Sequence, residues 1–481
     1  MVQSVLLEQS KEEEIFYLLE HQLWTIGLLI GRITSSRHYI SFIVKTPLPD
    51  DPEENTKAKK SKGKNKKAEK WQKVTAQEIA DTVDESWITE HARQVTRCLP
   101  GGLCVMGLFL IAPDDISAAM QPKIRTLMYN SCELSTSVFP GTRDSHKDEE
   151  QLQRTIPSTR VFLQVSSDTK QHKCRVINVS DQKVGSNFRP AELNFLTHSI
   201  WFHKVEGKMK VNTSFKLPQR VGDKRTLIKE LKDCLKPTLQ SVLSGIVAFH
   251  GCFVPSDVPL VKSGKSAAKA ETLPTILYRK THRLDSGSDI TTTQSSGCIH
   301  LKGTIYTHAF VHGKATHGEA ETALKQDIFR TLLARVELLC EDLYLQKEAE
   351  QELLPEEQQQ KPLVIQLPNC SSHWKLPIRR LATVPEVPFP LSDYSLEGEE
   401  TEESADRICR CLDVGLDASD IDIIAVEDFG EVKDISSLTK DVKKSVKQPV
   451  KGSYYWRSIA GAAATALLAY LIWFSQESTM S

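Results

Sequence analysis

The sequence predicts a mixed α/β chain of the α+β kind with more than one folded module. Three stretches carry that reading. Residues 23–44, "LWTIGLLIGRITSSRHYISFIV", are two apolar runs around a polar turn at Thr34–Arg37, the pattern of a strand hairpin. Residues 99–113, "LPGGLCVMGLFLIAP", form a short apolar strand opened by two glycines and closed by a proline. From Glu319 to about Glu350, Leu324, Ile328, Leu332, Val336, Leu339 and Leu343 recur at helical spacing, which predicts a long amphipathic helix.

The 481 residues suffice for two or three domains with real cores. The net charge of −1 gives no global field toward nucleic acid, and no nucleic-acid partner is expected. Eleven scattered cysteines include no CxxC pair, so a zinc finger has no support and free thiols in a reducing compartment are expected.

Taken in order, the hairpin is followed by "TPLPDDPEENTKAKKSKGKNKKAEK", where lysines crowd between Lys57 and Lys70. Such a run repels itself and reads as an inserted solvated loop at about 47–73; contact with anionic lipid, RNA or an acidic partner is the sharper alternative. Thr75 and Glu78 then make a capping-box pattern, and Ile79, Val83, Trp87, Val95 and Leu99 continue a helix. Pro100-Gly101-Gly102 ends it and starts the strand. Residues 114–150 read as a short helix and a polar loop.

A second α/β module is expected over 151–350. "RVFLQV", "KCRVINV" and "SIWFHKV" read as strands, Thr226–Val247 as a helix with Pro237 inside it, and "CIHLKGTIYTHAFVHGKA" as more strand. Of His308, His312 and His317, the first two share a helix face only if that segment is helical, and it reads as strand and turn, so no metal site is expected there. Residues 351–453, proline-rich and then acidic, read as a flexible tether holding Cys409-Arg410-Cys411.

The end of the chain, 454–475, reads as a transmembrane tail anchor. Ile459 to Phe474 is uncharged and spans about 24 Å as a helix, near the ~27 Å of the thin endoplasmic reticulum (ER) bilayer. Ile459, Leu467, Leu468, Leu471, Ile472 and Phe474 are its strongest inserting residues. Lysines lie on the N-terminal side, so the positive-inside rule places the body in the cytosol: a single-pass ER-membrane protein with the bilayer as a partner. A buried core helix is the competing reading of so short a run.

With these residues in view, "GLLIG" and "LPGGLCVMGLFLIAP" resemble the MPN fold of metalloproteases, over about residues 1–150. In that family the strand runs into His-x-His-Pro. Here Leu110 and Ala112 fall where the two zinc-binding histidines would stand, and neither offers a lone pair. The resemblance therefore implies a metal-free pseudoenzyme, without cofactor or catalytic residues, that works through partners. Trp87, Val95, Leu99, Leu108, Phe109 and Pro113 are the candidate partner-binding residues. More closely, "GLLIG", "ESWITEHARQVTRCLPGGLCVMGLF" and "GKATHGEAETALKQDIFRTLLARVELLCEDL" resemble the Odr-four-like family, named for odorant-response genes. That resemblance implies a non-enzymatic ER-membrane adaptor for trafficking G-protein-coupled, odorant-type receptors. It also implies partnership with the cysteine protease of the ufmylation pathway, whose N-terminal region is MPN-like. The alternatives are a divergent MPN metalloprotease or other hydrolase, or a lipid- or RNA-tethering protein that uses the lysine loop.

Overall fold

A computed structural model describes residues 4–21, 24–34, 37–47, 76–112, 117–136, 158–179, 188–197, 202–218, 220–221, 224–261, 272–278, 295–352, 365–366, 373–374, 376–385, 387–396, 398–413 and 416–427. The chain begins with strand β1 (Ser4–Glu8) and helix α1 (Gln9–His21), then the expected hairpin, β2 (Thr25–Ile33) and β3 (Arg37–Lys45). Helices α2 (Ala76–Thr82) and α3 (Glu85–Cys98) replace the single helix expected there. The break has a local cause: the Asp84 carboxylate accepts from the backbone N–H groups of Ser86 and Trp87 and caps a new helix. Strand β4 (Cys104–Ala112) and helix α4 (Ser117–Thr136) follow, then β5 (Thr159–Ser166), β6 (His172–Asn178), β7 (Arg189–Pro190) and β8 (Glu192–Leu196).

These eight strands make one sheet in the order β7-β6-β5-β4-β2-β3-β1-β8. The boundary expected at residue 150 does not divide it. Strand β5 runs parallel to β4, from Gly107↔Val161 to Ala112↔Ser166. The reason is apolar: Arg160 to Val165 is buried without interruption, so β5 needs cover on both faces and takes an interior place. Alternate residues of β2 and β4 feed two cores. Ile26, Leu28, Leu108 and Leu110 pack with α3 and α4, whereas Leu29, Met106, Phe109 and Ile111 pack on the other face with Ile15 of α1.

The second sheet holds β9 (Phe202–Pro218), β11 (Ile246–Phe249), β12 (Thr272–Tyr278), β13 (Ser295–His312) and β15 (His373–Trp374), ordered β11-β12-β9-β13-β15. Two-residue strands β10 (Arg220–Val221) and β14 (Ile365–Gln366) pair nearby. Helix α5 (Lys224–Leu243) places Leu227, Leu231, Leu235 and Leu239 against α6 (His317–Glu352), with Pro237 inside its span as the sequence reading has it.

The expected tether is a folded unit over much of its length. Strands β16 (Ile378–Thr383), β17 (Leu391–Ser395) and β18 (Asp422–Val426) form a sheet in the order β17-β16-β18, and α7 (Thr401–Leu412) packs on it. Proline and acid content masked short strands and an amphipathic helix whose Ala405, Ile408, Cys411 and Leu412 are buried.

The expected single-pass ER-membrane placement is corrected: among the described residues no helix is long and apolar enough to cross a membrane. Even α6, with 36 residues, carries Lys325, Asp327, Arg330 and Arg335 along its length. Ile459, Leu467, Leu468, Leu471, Ile472 and Phe474 lie outside the described residues, as does the Lys57–Lys70 run.

Candidate functional site

The chemistry of the molecule concentrates where α6 crosses between the sheets. From Ala320 to Leu343 the helix is buried almost all round, and Lys325, Asp327, Arg330 and Arg335 are buried with it. Asp327 is 0% exposed. Its carboxylate accepts from the Gly101 N–H at 3.2 Å, the His308 N–H at 3.0 Å, and both Nη1 and Nη2 of Arg379 at 2.8 Å. That fork-to-carboxylate geometry is the strongest form of ion pair. Arg330 donates to the carbonyls of Leu99, Pro100 and Leu103. Arg335 pairs with Glu427 and donates to the Pro377 carbonyl. Burial, the largest single influence, lowers the pKa of Arg379, but the charge and hydrogen bonds of Asp327 together with the nearby Tyr394 and Glu427 outweigh it, and the net direction is upward. Arg330, which has only carbonyl acceptors, is shifted downward by burial. The imidazole of His308 is pushed down to about 4, chiefly by burial, and is neutral at pH 7.

These groups also close one edge of β13. The Tyr306 N–H donates to Glu427 at 2.8 Å and the Tyr306 carbonyl accepts from Arg379 at 3.0 Å. Gly101 bonds His308 and Phe310 through its own backbone, and Arg32 donates to the Phe310 carbonyl at 3.2 Å. So "LPGG", the opening of the strand that the sequence singled out, is the point at which the first sheet meets α6 and β13. A half-buried ladder extends the contact: Glu337 accepts from Arg97 of α3 at 3.1 Å and from Lys232 of α5 at 2.7 Å.

The sequence-predicted partner residues fall elsewhere than expected. Val95, Leu99, Leu108 and Phe109 are all within 1% of full burial, so they are core and not an accessible surface. The physical reason is internal cover. Helix α7 and strand β17 lie on α3, where the His91 ring bonds the Cys411 carbonyl at 2.8 Å and the Thr46 hydroxyl at 3.1 Å. Val95, Leu99 and Leu108 share a core with the chain's own Val384, Phe389, Leu391, Ala405, Ile408 and Leu412, while Phe109 packs on the opposite face of the sheet with Ile15 of α1. Trp87 alone of the set is exposed, at 39%, and its Nε1 donates to the Pro47 carbonyl. Pro113 lies outside the described residues. Leu110 and Ala112 are fully buried in the core between sheet and helices.

Sequence reasoning missed Asp327, Arg330, Arg335, Arg379 and Glu427. One signal was available: apolar residues occur on every side of α6 rather than along one stripe, the mark of a buried helix, and charges within such a helix need partners. His308 and His312 lie on β13, and His317 opens α6. His308 is half-buried beside Asp327, His312 sits 3.6 Å from Glu319, and His317 bonds the Val258 carbonyl. Among the described residues no group of three or more His, Cys, Asp or Glu stands close enough to hold a metal ion. The hub can fasten three units; with Asp327, Arg330, Arg335, Arg379 and Glu427 all no more than 3% exposed, it offers nothing to a solute.

Comparison with known proteins places this architecture. The profile of the ODR4-like family, described as odorant response abnormal 4-like, matches residues 27–423. The human protein odr-4 homolog (Homo sapiens) is 28% identical over 447 residues, covering 90% of this chain and 88% of its own. The mouse homolog (Mus musculus) is 28% identical with 90% and 89% covered, and the chicken homolog (Gallus gallus) 28% with 83% and 81%. Among solved structures, that of UfSP from C. elegans covers 86% of this chain and 57% of its own length, at a TM-score of 0.38 and 8% identity, a likeness too weak to carry an argument. The family profile covers well over half of the chain, including the Gly-opened strand and Asp327, Arg330, Arg335 and Arg379 of the hub, and the chain accordingly belongs to the ODR4-like family.

Proposed function

We propose that this chain is a non-enzymatic adaptor in the trafficking or localisation of G-protein-coupled, odorant-type receptors. In this reading its N-terminal part is an MPN-like, metal-free unit, and it recruits the cysteine protease of the ufmylation pathway. Membership of the ODR4-like family supports the receptor half. The observation that carries the non-enzymatic half is the burial of Leu110 and Ala112. Both side chains are hydrocarbon and 0% exposed at the position where the metal motif would stand, which leaves neither ligand atoms nor room for a zinc-bound water.

Two measurements test it. In cells lacking the chain, the surface level of an odorant-type receptor should fall at constant transcript, and re-expression should restore it; normal delivery would overturn the trafficking role. Purified chain and purified ufmylation protease should co-elute as one complex. Separate elution at micromolar concentrations would remove that partner while leaving the receptor result to stand alone.

A further inference from the structure

Nine large apolar side chains are exposed among the described residues, and four of them share one region of the second sheet: Ile246 at 59%, Phe253 at 63%, Ile276 at 48% and Tyr278 at 51%. Register explains the grouping. Ile246 of β11 lies opposite Tyr278 of β12, and Ala248 opposite Ile276. Thr272, Pro274, Ile276 and Tyr278 are the exposed alternate positions of β12, while Leu273 and Thr275 point inward. After β11 the chain reverses tightly, with Phe249 and Cys252 exchanging backbone hydrogen bonds and His250 and Gly251 both at positive φ. The reversal carries Phe253 back to within 5.5 Å of the Tyr278 ring, in a tilted arrangement. Scattered apolar residues on a surface need no explanation, but a contiguous aromatic and aliphatic cluster does.

The next strand sets the charge beside it. Strand β9 runs parallel to β12 with Thr272↔Lys204, Pro274↔Glu206 and Ile276↔Lys208. The same face therefore continues as Lys204, Glu206, Lys208 and Lys210, three cations against one anion. Glu206 is held by Lys204 at 2.7 Å. Lys208 is exposed, lies directly beside Ile276, and rests its ammonium over the Tyr306 ring at 4.9 Å from the centroid.

From this juxtaposition we infer that the β11–β12–β9 face is a docking surface for an extended acidic peptide of a partner protein, one that alternates large apolar side chains with Asp or Glu. Its apolar side chains pack on Ile246, Phe253, Ile276 and Tyr278, and its carboxylates meet Lys208 and Lys210. Rings and branched aliphatic groups on rigid strands suit a peptide, because little side-chain entropy is lost on binding. Charge complementarity then sets direction and partner choice. A lipid surface fits less well: the cluster lies on strands and one tight turn, and Glu206 stands in the middle of the basic row. The inference goes beyond the receptor-trafficking reading, and either can fail without the other.

The test uses the full-length chain and a fluorescein-labelled peptide in which Phe and Ile alternate with Asp and Glu, followed by anisotropy. Saturable binding is expected. Ile276→Asp and, separately, Lys208→Glu should each weaken it about tenfold while leaving the thermal melt unchanged, since both side chains are exposed. A peptide with lysines in place of its acids should bind the native chain poorly and Lys208→Glu better. Absence of peptide binding, or binding indifferent to both substitutions, overturns the proposal. So does capture of phosphatidylserine vesicles lost in both variants without peptide binding, which assigns the face to lipid. Concentration-dependent sedimentation abolished by Ile276→Asp without peptide binding likewise overturns it, because the occupant is then a second copy of the chain.

Discussion

Asp327 shows how much one side chain decides. It accepts four hydrogen bonds from three separate parts of the chain; without the carboxylate the His308 N–H and Arg379 Nη2 lose this acceptor outright, while the Gly101 N–H and Arg379 Nη1 keep only the His308 and Tyr306 carbonyls. A buried ion pair is not by itself a source of stability, because desolvating both charges offsets much of their attraction. Removing one partner is different, since it strands the other charge. Asp327→Ala is therefore expected to cost about 3–5 kcal/mol, read as a lower midpoint in urea unfolding. The double change Asp327→Leu with Arg379→Met should lose less than the single one. If the single change costs under about 1 kcal/mol, Arg379 is finding water or another anion. The sequence did not show this residue's role. Within "LKQDIFRTLLAR" the charges look like the solvated side of an amphipathic helix, and their partners Arg379 and Glu427 stand 52 and 92 residues further on. Spacing along a helix reports which face a residue occupies. It does not report what the rest of the chain will lay against that face.

At the level of elements, strand β4 was legible and its pairing with β5 was not. The Gly-Gly opening and the apolar run predicted the strand within a few residues of Cys104–Ala112, and the polar turn predicted the β2–β3 hairpin. Local patterning carries that information because strand and turn are local events. Sheet order is not local, and β5 to β8 were assigned to the wrong unit for that reason. Gly107 records the closeness of the β4–β5 pairing. A Cβ added there would stand 1.7 Å from the Val161 carbonyl oxygen, a backbone atom that cannot swing aside. Gly107→Ala is expected to push the two strands apart and to destabilise by at least the ~1–3 kcal/mol typical of overpacking. Gly313→Ala is the control, since its nearest neighbour would be the His203 ring at 3.9 Å. A calorimetric melt in which the two variants match would show that β4 and β5 are not packed this closely.

The whole molecule is joined by polar contacts that are buried, and its stability should follow pH accordingly. His38 and His308 are each held neutral with the pKa pushed down to about 4, mainly by burial. In the unfolded chain both return to about 6.5. Between those values the unfolded state binds more protons, so the stability is complete above about pH 6.5 and drains away as pH falls toward 4. Glu319, held down to about 2 by the bond with His312, adds a later loss from about pH 4.5 downward. The expected size is on the order of 2–3 kcal/mol for each histidine. Guanidinium midpoints measured at constant ionic strength should decline from pH 7 to pH 4.5, and a flat profile would contradict the burial of both rings. The three-unit plan itself was only partly readable. A proline-rich, acidic stretch has the composition of a linker, yet Ile408, Cys411 and Leu412 find a ready apolar surface in α3, and that surface decides the outcome.

The closed edge of β13 carries a consequence for biosynthesis. Synthesis runs from the N-terminus, so the long pair β9 and β13 leaves the ribosome well before Arg379 and Glu427 exist. During that interval the outward amide and carbonyl of Tyr306 have neither Glu427 nor Arg379 to bond, and the edge of β13 stays open at that position. Cover for that position comes with the segment made last, so a chain cut short before Arg379 is expected to self-associate more readily than the full-length chain, a difference that light scattering would read.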